Sequence, residues 1–179
     1  MDYDIKSLVN EAIEAGFSHA GELNVASLVF MPEVREMCND TCTQYDNNWR
    51  CPPGCASLEE GAAQVAQYSH GVIVQTTGHL EDNFDFETIG DTYKKHVEDF
   101  GALVKDLRQH YPDALFMSSD SCKLCEKCTY PDASCRFPEL AISPIEAYGL
   151  VVNKLCESSE MPYYYGKLTI KYTSAYLLK

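Results

Sequence analysis

Residues 71–118 read GVIVQTTGHL EDNFDFETIG DTYKKHVEDF GALVKDLRQH YPDALFMS, and this stretch decides the fold class. Its apolar beginning, residues 71–77, is rich in β-branched side chains and predicts a strand. Residues 88–110 carry apolar side chains at helical spacing and predict the longest helix, which ends before Pro112. Residues 114–118 predict the next strand. A strand, a long helix and a second strand in this order are typical of an α/β fold.

Toward the N-terminus, the chain continues with shorter predicted elements. Residues 4–15 predict an amphipathic helix, and residues 19–23 predict a short strand. The spacing Ser57-x-x-Glu60 is a capping box, which predicts a helix that begins there. Residues 31–56 show no clear period, so we expect a loop in that part of the chain.

Toward the C-terminus, a second capping box, Ser143-x-x-Glu146, predicts a helix that continues to about Leu155. Residues 168–178 are rich in β-branched and aromatic side chains and predict the last strand. We therefore expect one compact α/β domain over residues 1–179. It has a small central sheet of about four strands flanked by helices, with two cysteine-rich metal-binding loops.

The charge of the chain restricts its partners. Among 179 residues, 14 Lys and Arg stand against 27 Asp and Glu, so the formal net charge is −13. Such an acidic surface repels phosphate backbones and acidic lipid heads, and we expect no nucleic-acid and no membrane partner. No apolar run approaches the ~20 residues of a membrane-spanning helix. The first residues lack the basic and apolar regions of a signal peptide, so we expect a cytoplasmic protein.

Nine cysteines are far more than an ordinary cytoplasmic chain of this length carries. Because the cytosol keeps thiols reduced, clustered cysteines there indicate metal binding or redox chemistry rather than disulfides. Cys156 stands alone, and we expect it to pack in the core as a small apolar side chain. The five histidines show no paired spacing, and we expect them mostly at the surface or at helix caps. The candidate metal ligands are the other eight cysteines, in two groups of four: Cys38, Cys42, Cys51 and Cys55, and Cys122, Cys125, Cys128 and Cys135.

The second cysteine group has the more specific spacing, Cys122-x2-Cys125-x2-Cys128-x6-Cys135. Bacterial ferredoxins use the same triplet to hold a cluster, followed by a fourth cysteine next to a proline. Here the fourth cysteine follows after six residues instead of three. Zinc sites normally use two pairs rather than a tight triplet. The spacing favours a [4Fe–4S] cluster, with zinc or redox and structural thiols as alternatives.

The first cysteine group is less diagnostic, with the spacing Cys38-x3-Cys42-x8-Cys51-x3-Cys55. Its last two cysteines enclose Pro-Pro-Gly, residues 52–54, which confines the backbone to a tight, non-helical path. We expect a second [4Fe–4S] cluster here, with zinc, or one cluster shared by both groups, as alternatives. Because the second group follows a strand, we also expect the fold to bring the first group close to it.

The motifs in this chain resemble those of the predicted metal-binding protein family known as domain of unknown function 2284. The resemblance covers nearly the whole chain. It implies a soluble prokaryotic protein, often from anaerobes, that carries iron–sulfur centres, and it implies no particular reaction. The matching motifs are Cys38-x3-Cys42-x2-Tyr45, WRCPPGC at 49–55, the triplet that begins at Cys122, CRFP at 135–138, SPIEAYG at 143–149 and YG at 165–166.

Three functions are consistent with these observations. The first is a redox protein whose two clusters pass single electrons to or from a partner protein, as an accessory of anaerobic metabolism. An acidic surface suits docking on a basic patch of such a partner. The second is an enzyme in which an open cluster iron acts on a small substrate. The third is a zinc-stabilised interaction module.

Overall fold

The structure is a computed structural model that describes residues 4–179. Over this range the chain forms five α-helices and five strands that alternate irregularly. Two short 3-10 turns, Val25–Ser27 and Ile145–Tyr148, join them. The helices are α1 (Ile5–Glu14), α2 (Pro32–Thr41), α3 (Leu58–Val65), α4 (Phe86–His110) and α5 (Val152–Ser158), and the strands are β1 (His19–Glu22), β2 (His70–His79), β3 (Leu115–Ser118), β4 (Ser143–Pro144) and β5 (Thr169–Leu178).

The five strands form one mixed sheet in the order β1-β2-β5-β3-β4. All neighbours are antiparallel except β3 and β4, which are parallel. β5 lies between β2 and β3. Its Tyr176 is therefore paired with Val72 of β2 on one side and with Phe116 of β3 on the other. Because β2 and β3 are each antiparallel to β5, they run in the same direction and form a split βαβ unit with α4. The second cysteine group begins just beyond the carboxyl end of β3.

Each face of the sheet has its own apolar core. Successive strand residues point to opposite faces, so Val72 and Val74 enter one core and Ile73 the other. The first core lies under α1 and α4, which bury Leu8 and Phe100 among others. The second core lies under α3, α5 and the segment between β4 and α5. The helices therefore flank the sheet on both faces, as predicted.

Most predicted elements are confirmed where the hydrophobic pattern is strong. The predicted helices at 4–15 and 88–110 appear as α1 and α4, and the predicted strands appear as β1, β2, β3 and β5. The first capping box is present as well. The Ser57 hydroxyl accepts a hydrogen bond from the Glu60 backbone N–H at 3.1 Å, and the Glu60 carboxylate accepts one from the Ser57 N–H at 2.8 Å.

The predicted helix from Ser143 to Leu155 is wrong. Ser143 pairs with Met117 as part of β4, which gives the sheet five strands instead of about four. The chain then makes a 3-10 turn that ends at Gly149, whose φ of +75° is left-handed. A Cβ at this glycine would lie 2.3 Å from the Leu58 side chain, so only glycine fits there. The α-helix begins only after this turn, as α5.

Residues 31–56 are more ordered than predicted, because Pro32–Thr41 forms α2. None of its residues is buried, so the helix leaves no apolar period in the sequence. Its helix signals are Pro32 at the first position and Glu33 in the first turn. Among the described helices, none is long and apolar enough to cross a membrane.

Candidate metal centres

All four cysteines of the second group line one cavity of about 260 Å³. The loop between the third and fourth cysteines is closed by a hydrogen bond of 2.9 Å from the Ala133 N–H to the Thr129 carbonyl. The Arg136 guanidinium also donates to the Lys127 carbonyl at 2.9 Å, which holds the two ends of the loop together. The fold thus brings together the four thiols that the sequence predicts as ligands.

Three cysteines of the first group line a separate cavity of about 240 Å³. Cys38 lies in the last turns of α2, Cys42 ends that helix, and Cys51 is buried. Cys55 lies at the edge of this arrangement, because it lines a larger cavity of about 420 Å³ instead. The structure therefore gathers three of these four predicted ligands around one space and places the fourth beside them.

Arg35 connects α2 to the segment that carries Cys55. Its guanidinium donates to the Ala56 carbonyl at 2.7 Å and approaches the Cys55 sulfur at 3.6 Å. Burial raises the pKa of the Cys55 thiol, and the positive charge of Arg35 opposes this rise. Such a charge stabilises a thiolate, so Arg35 favours the form of Cys55 that binds metals.

The thiols of each group lie close enough to influence one another. Burial raises the pKa of Cys51 to about 11, an Asn48 hydrogen bond opposes this, and the neighbouring thiols raise it further. Burial also raises the pKa of Cys122. A backbone hydrogen bond lowers this pKa, whereas the neighbouring Cys135 raises it further. Without a bound cation, thiols with raised pKa values are protonated, and therefore uncharged, at pH 7. Metal binding to these groups therefore displaces protons.

The two cysteine-rich segments pack directly against each other, as expected. The Trp49 indole N–H donates to the Ala133 carbonyl at 2.9 Å, and its ring meets the Tyr130 ring edge-on at 4.8 Å. The Tyr130 hydroxyl in turn donates to the Asp46 carboxylate at 2.7 Å. At Gly54, a Cβ would lie 2.7 Å from the Tyr130 ring, so this contact requires glycine. The first segment therefore forms part of the wall around the second group.

Arg50 lies between the two groups. It lines both the 260 Å³ cavity and the 420 Å³ cavity, and its guanidinium donates to the Pro138 carbonyl. Its positive charge opposes the effect of burial on the pKa of both Cys55 and Cys122. One side chain thus provides positive charge to both cysteine groups.

Two carboxylates in the first cavity were not predicted as site residues. Glu146 and Asp120 line it together with the three cysteines. Burial raises the pKa of Glu146, and the negative charge of Asp120 raises it further. The sequence offers no signal for this placement, because the spacing of Glu146 from Ser143 predicts a helix cap.

Cys156 lies away from both groups, and the prediction of a core thiol is confirmed. Its side chain is fully buried, and its sulfur accepts a hydrogen bond from the Gln75 amide at 3.2 Å. The expectation for the histidines is wrong for His96, which is fully buried between Thr76 and Ser174.

The donor set fits a thiolate-bound centre, although the groups do not converge on a point. All nine cysteines are free thiols. In residues 4–179, no three His, Cys, Asp or Glu side chains come close enough to hold a single metal ion. The thiols surround cavities instead. Soft sulfur ligands of this kind select zinc, copper(I) and iron–sulfur clusters.

Comparison with known proteins identifies a family but no characterised relative. A family described as predicted metal-binding protein (DUF2284) matches residues 21–178. No curated protein and no solved structure matches the chain. The matched region includes both cysteine groups and almost the whole sheet. The chain therefore belongs to the DUF2284 family of predicted metal-binding proteins.

Proposed function

We propose that this protein binds two [4Fe–4S] clusters, one at each cysteine group, and passes single electrons to or from a partner protein in anaerobic metabolism. The observation that carries the proposal is the second group, where four cysteines line one cavity of about 260 Å³. Three of them follow one another at the spacing that bacterial ferredoxins use.

The spacing of the thiols favours a cluster over zinc. Zinc sites normally use two cysteine pairs rather than a tight triplet. The four thiols of the second group line one space of about 260 Å³. In a cubane cluster each thiolate binds a different iron, so the ligands stand apart around the cluster. The second cavity supports this kind of ligation.

The charges around the second cavity also support a cluster. Four thiolates give the centre negative charge, and four cationic residues line the same cavity: Arg50, Lys123, Lys127 and Arg136. Positive groups and hydrogen bonds near the sulfur atoms raise the reduction potential of a cluster. Because the chain has a net charge of −13, four cationic side chains at one cavity are a marked concentration.

The contact between the two segments supports electron exchange between the centres. Asn48, Trp49 and Arg50 line the second cavity, and Cys51 of the first group follows them directly. Cys51 of the first group is therefore the chain neighbour of Arg50, which lines the cavity of the second group. The acidic surface would then dock on a basic patch of the partner.

A reductive titration tests this proposal. Anaerobically purified protein is titrated with dithionite while its visible absorption is followed, and is then reoxidised with a mild oxidant of higher potential. Two clusters predict bleaching that takes up two electrons per chain and reverses on reoxidation. Protein that has no visible absorption, or takes up no electrons, contradicts the proposal.

A second candidate is an enzyme in which an iron at the first group lacks a cysteine ligand. Its support is that Cys55 lies outside the cavity that the other three cysteines line, whereas Glu146 and Asp120 lie inside it. The variant C55S separates the two candidates, with C51S as the matched control. An electron carrier loses the first cluster in both variants. The enzyme keeps its full iron content in C55S and loses it only in C51S.

A further inference from the structure

The cavity that Cys55 lines is larger than the cavities that the other clustered cysteines line. Its volume is about 420 Å³, which falls within the ~300–1,000 Å³ of small-molecule sites. It lies between the end of α4, α3 and the segment around β4. Its polar lining includes Arg50, Arg108, Glu139, Ser143, Tyr148 and Cys55.

Two arginines share this cavity with a single carboxylate, Glu139. Neither Arg50 nor Arg108 forms an ion pair with any carboxylate in the described chain. Burial lowers the pKa of Arg108, Glu139 raises it, and the positive charge of Arg50 lowers it again. Two guanidinium groups that repel each other in a cavity are stabilised by an anion between them.

Arg50 also carries an unsatisfied donor. Its Nε is buried and has no hydrogen-bond partner among the described residues. Burying a charged N–H without an acceptor costs free energy, and such groups in native structures usually indicate a water, an ion or a ligand. This observation is independent of the cavity and of the charge on Arg108.

Both guanidinium groups are held in place while most of their N–H groups stay available. Arg50 donates to the Pro138 carbonyl, and Arg108 donates to the Leu140 carbonyl at 3.2 Å. Arg108 also lies over the Phe116 ring, 5.4 Å from its centre. Each guanidinium carries five N–H donors in a rigid fork, which suits bidentate binding of carboxylate or phosphate.

We propose that this cavity binds a small molecule through a carboxylate or phosphate group held between Arg50 and Arg108. The Tyr148 hydroxyl and Ser143 line the same space and supply neutral polar contacts. Because Cys55 is part of the wall, the bound anion lies beside the first cysteine group. The inference does not rest on the identity of the metal, since the two arginines bind the anion themselves.

Calorimetric titration of the anaerobically purified protein tests the proposal. The probes are inorganic phosphate and succinate, with chloride at matched ionic strength as the reference. We expect saturable binding of at least one probe at one site per chain, and the probe that binds better identifies the group. The variant R108Q should weaken this binding roughly tenfold or more, because it removes a charged, bidentate donor.

K105Q is the matched control. Lys105 lies on α4 one turn before Arg108 and is exposed, so its loss removes the same charge outside the cavity. We expect K105Q to bind like the wild type. R108K keeps the positive charge but lacks the bidentate guanidinium, so its affinity for the probe should lie between those of the wild type and R108Q. R108K also provides a test if R108Q fails to fold. The proposal is overturned if neither probe binds saturably, or if the arginine variants bind like K105Q. Iron content of the same samples is measured separately, so this failure is distinct from a failure of the cluster proposal.

Discussion

The indole N–H of Trp49 donates a hydrogen bond to the backbone carbonyl of Ala133 at 2.9 Å, although the two residues are 84 positions apart. This bond joins the segment of the first cysteine group to the loop between the third and fourth cysteines of the second. It also places the indole in the wall of the cavity that the second group lines. The two groups are thus parts of one structural unit.

Tryptophan fluorescence should report the metal at the second group, because Trp49 is the only tryptophan in the chain. Iron–sulfur clusters absorb broadly where an indole emits, so a cluster beside Trp49 should quench its emission strongly. The measurement compares emission before and after the protein is stripped of metal. Zinc does not absorb in this range, so equal emission from both samples would count against a cluster here.

Replacing Gly54 by alanine should separate the two segments. A Cβ at this position would lie 2.7 Å from the Tyr130 ring and 2.7 Å from the Asn48 carbonyl oxygen. We expect G54A to lower the free energy of unfolding by about 1–3 kcal/mol, as overpacking does. Chemical denaturation measures this change.

The matched control for G54A is G90A. Gly90 lies in α4, and a Cβ there meets nothing within 4 Å. Alanine in an exposed helix interior should raise the free energy of unfolding by roughly 0.5–1 kcal/mol. If both variants change stability in the same direction, the contact at Gly54 does not hold the segments together.

Serine at Cys128 should remove the second cluster, whereas serine at Cys156 should not. Cys128 lines the cavity of the second group, while Cys156 is fully buried in the core beside Gln75. We expect C128S to lose about half of the bound iron and C156S to keep all of it. C156S should cost only about 1 kcal/mol of stability, because a hydroxyl also accepts the Gln75 hydrogen bond. Equal iron content in the two variants would exclude Cys128 as a ligand.

His96 should make the fold sensitive to mild acid. Burial lowers its pKa from 6.5 to about 4, and its two ring nitrogens lie 2.9 Å from the hydroxyls of Thr76 and Ser174. Below pH 6.5 the unfolded chain takes up a proton that the folded chain does not. The free energy of unfolding should therefore fall as the pH drops from 6.5 toward 4, by up to about 1.4 kcal/mol per pH unit.

Proton NMR of the His96 ring gives the direct measurement. A titration midpoint close to 4 in the folded protein is the expected result. A midpoint near 6.5 would mean that the ring is accessible to water. Denaturation of H96Q over the same pH range is the control, because this variant should lose the part of the slope that His96 causes.

The fold was predictable where apolar side chains repeat regularly. The period in α4 and the β-branched runs in β2 and β5 exist because one or both faces of these elements are buried in a core. α2 buries no residue, so its sequence carries no such period. At Ser143 the capping pattern is genuine, but pairing with Met117 and the left-handed turn at Gly149 override it.

Of the candidate site, only the grouping of the cysteines was predictable. The spacing of cysteines reveals ligands that are close along the chain. The cysteines of the second group are close in this way, and they line a single cavity. Contacts between distant segments leave no such pattern. The approach of Arg50 to Arg108, and of Glu146 to the first cysteine group, depends on how the loops pack after the sheet has formed.

Metal and sulfide analysis of the protein purified without oxygen tests the central claim most directly. We predict about eight iron and eight acid-labile sulfide ions per chain, the content of two [4Fe–4S] clusters, with a broad visible absorption that dithionite bleaches. About four of each would mean one cluster, either at one group or shared by both. Stoichiometric zinc without sulfide would contradict the account and favour a zinc-stabilised interaction module.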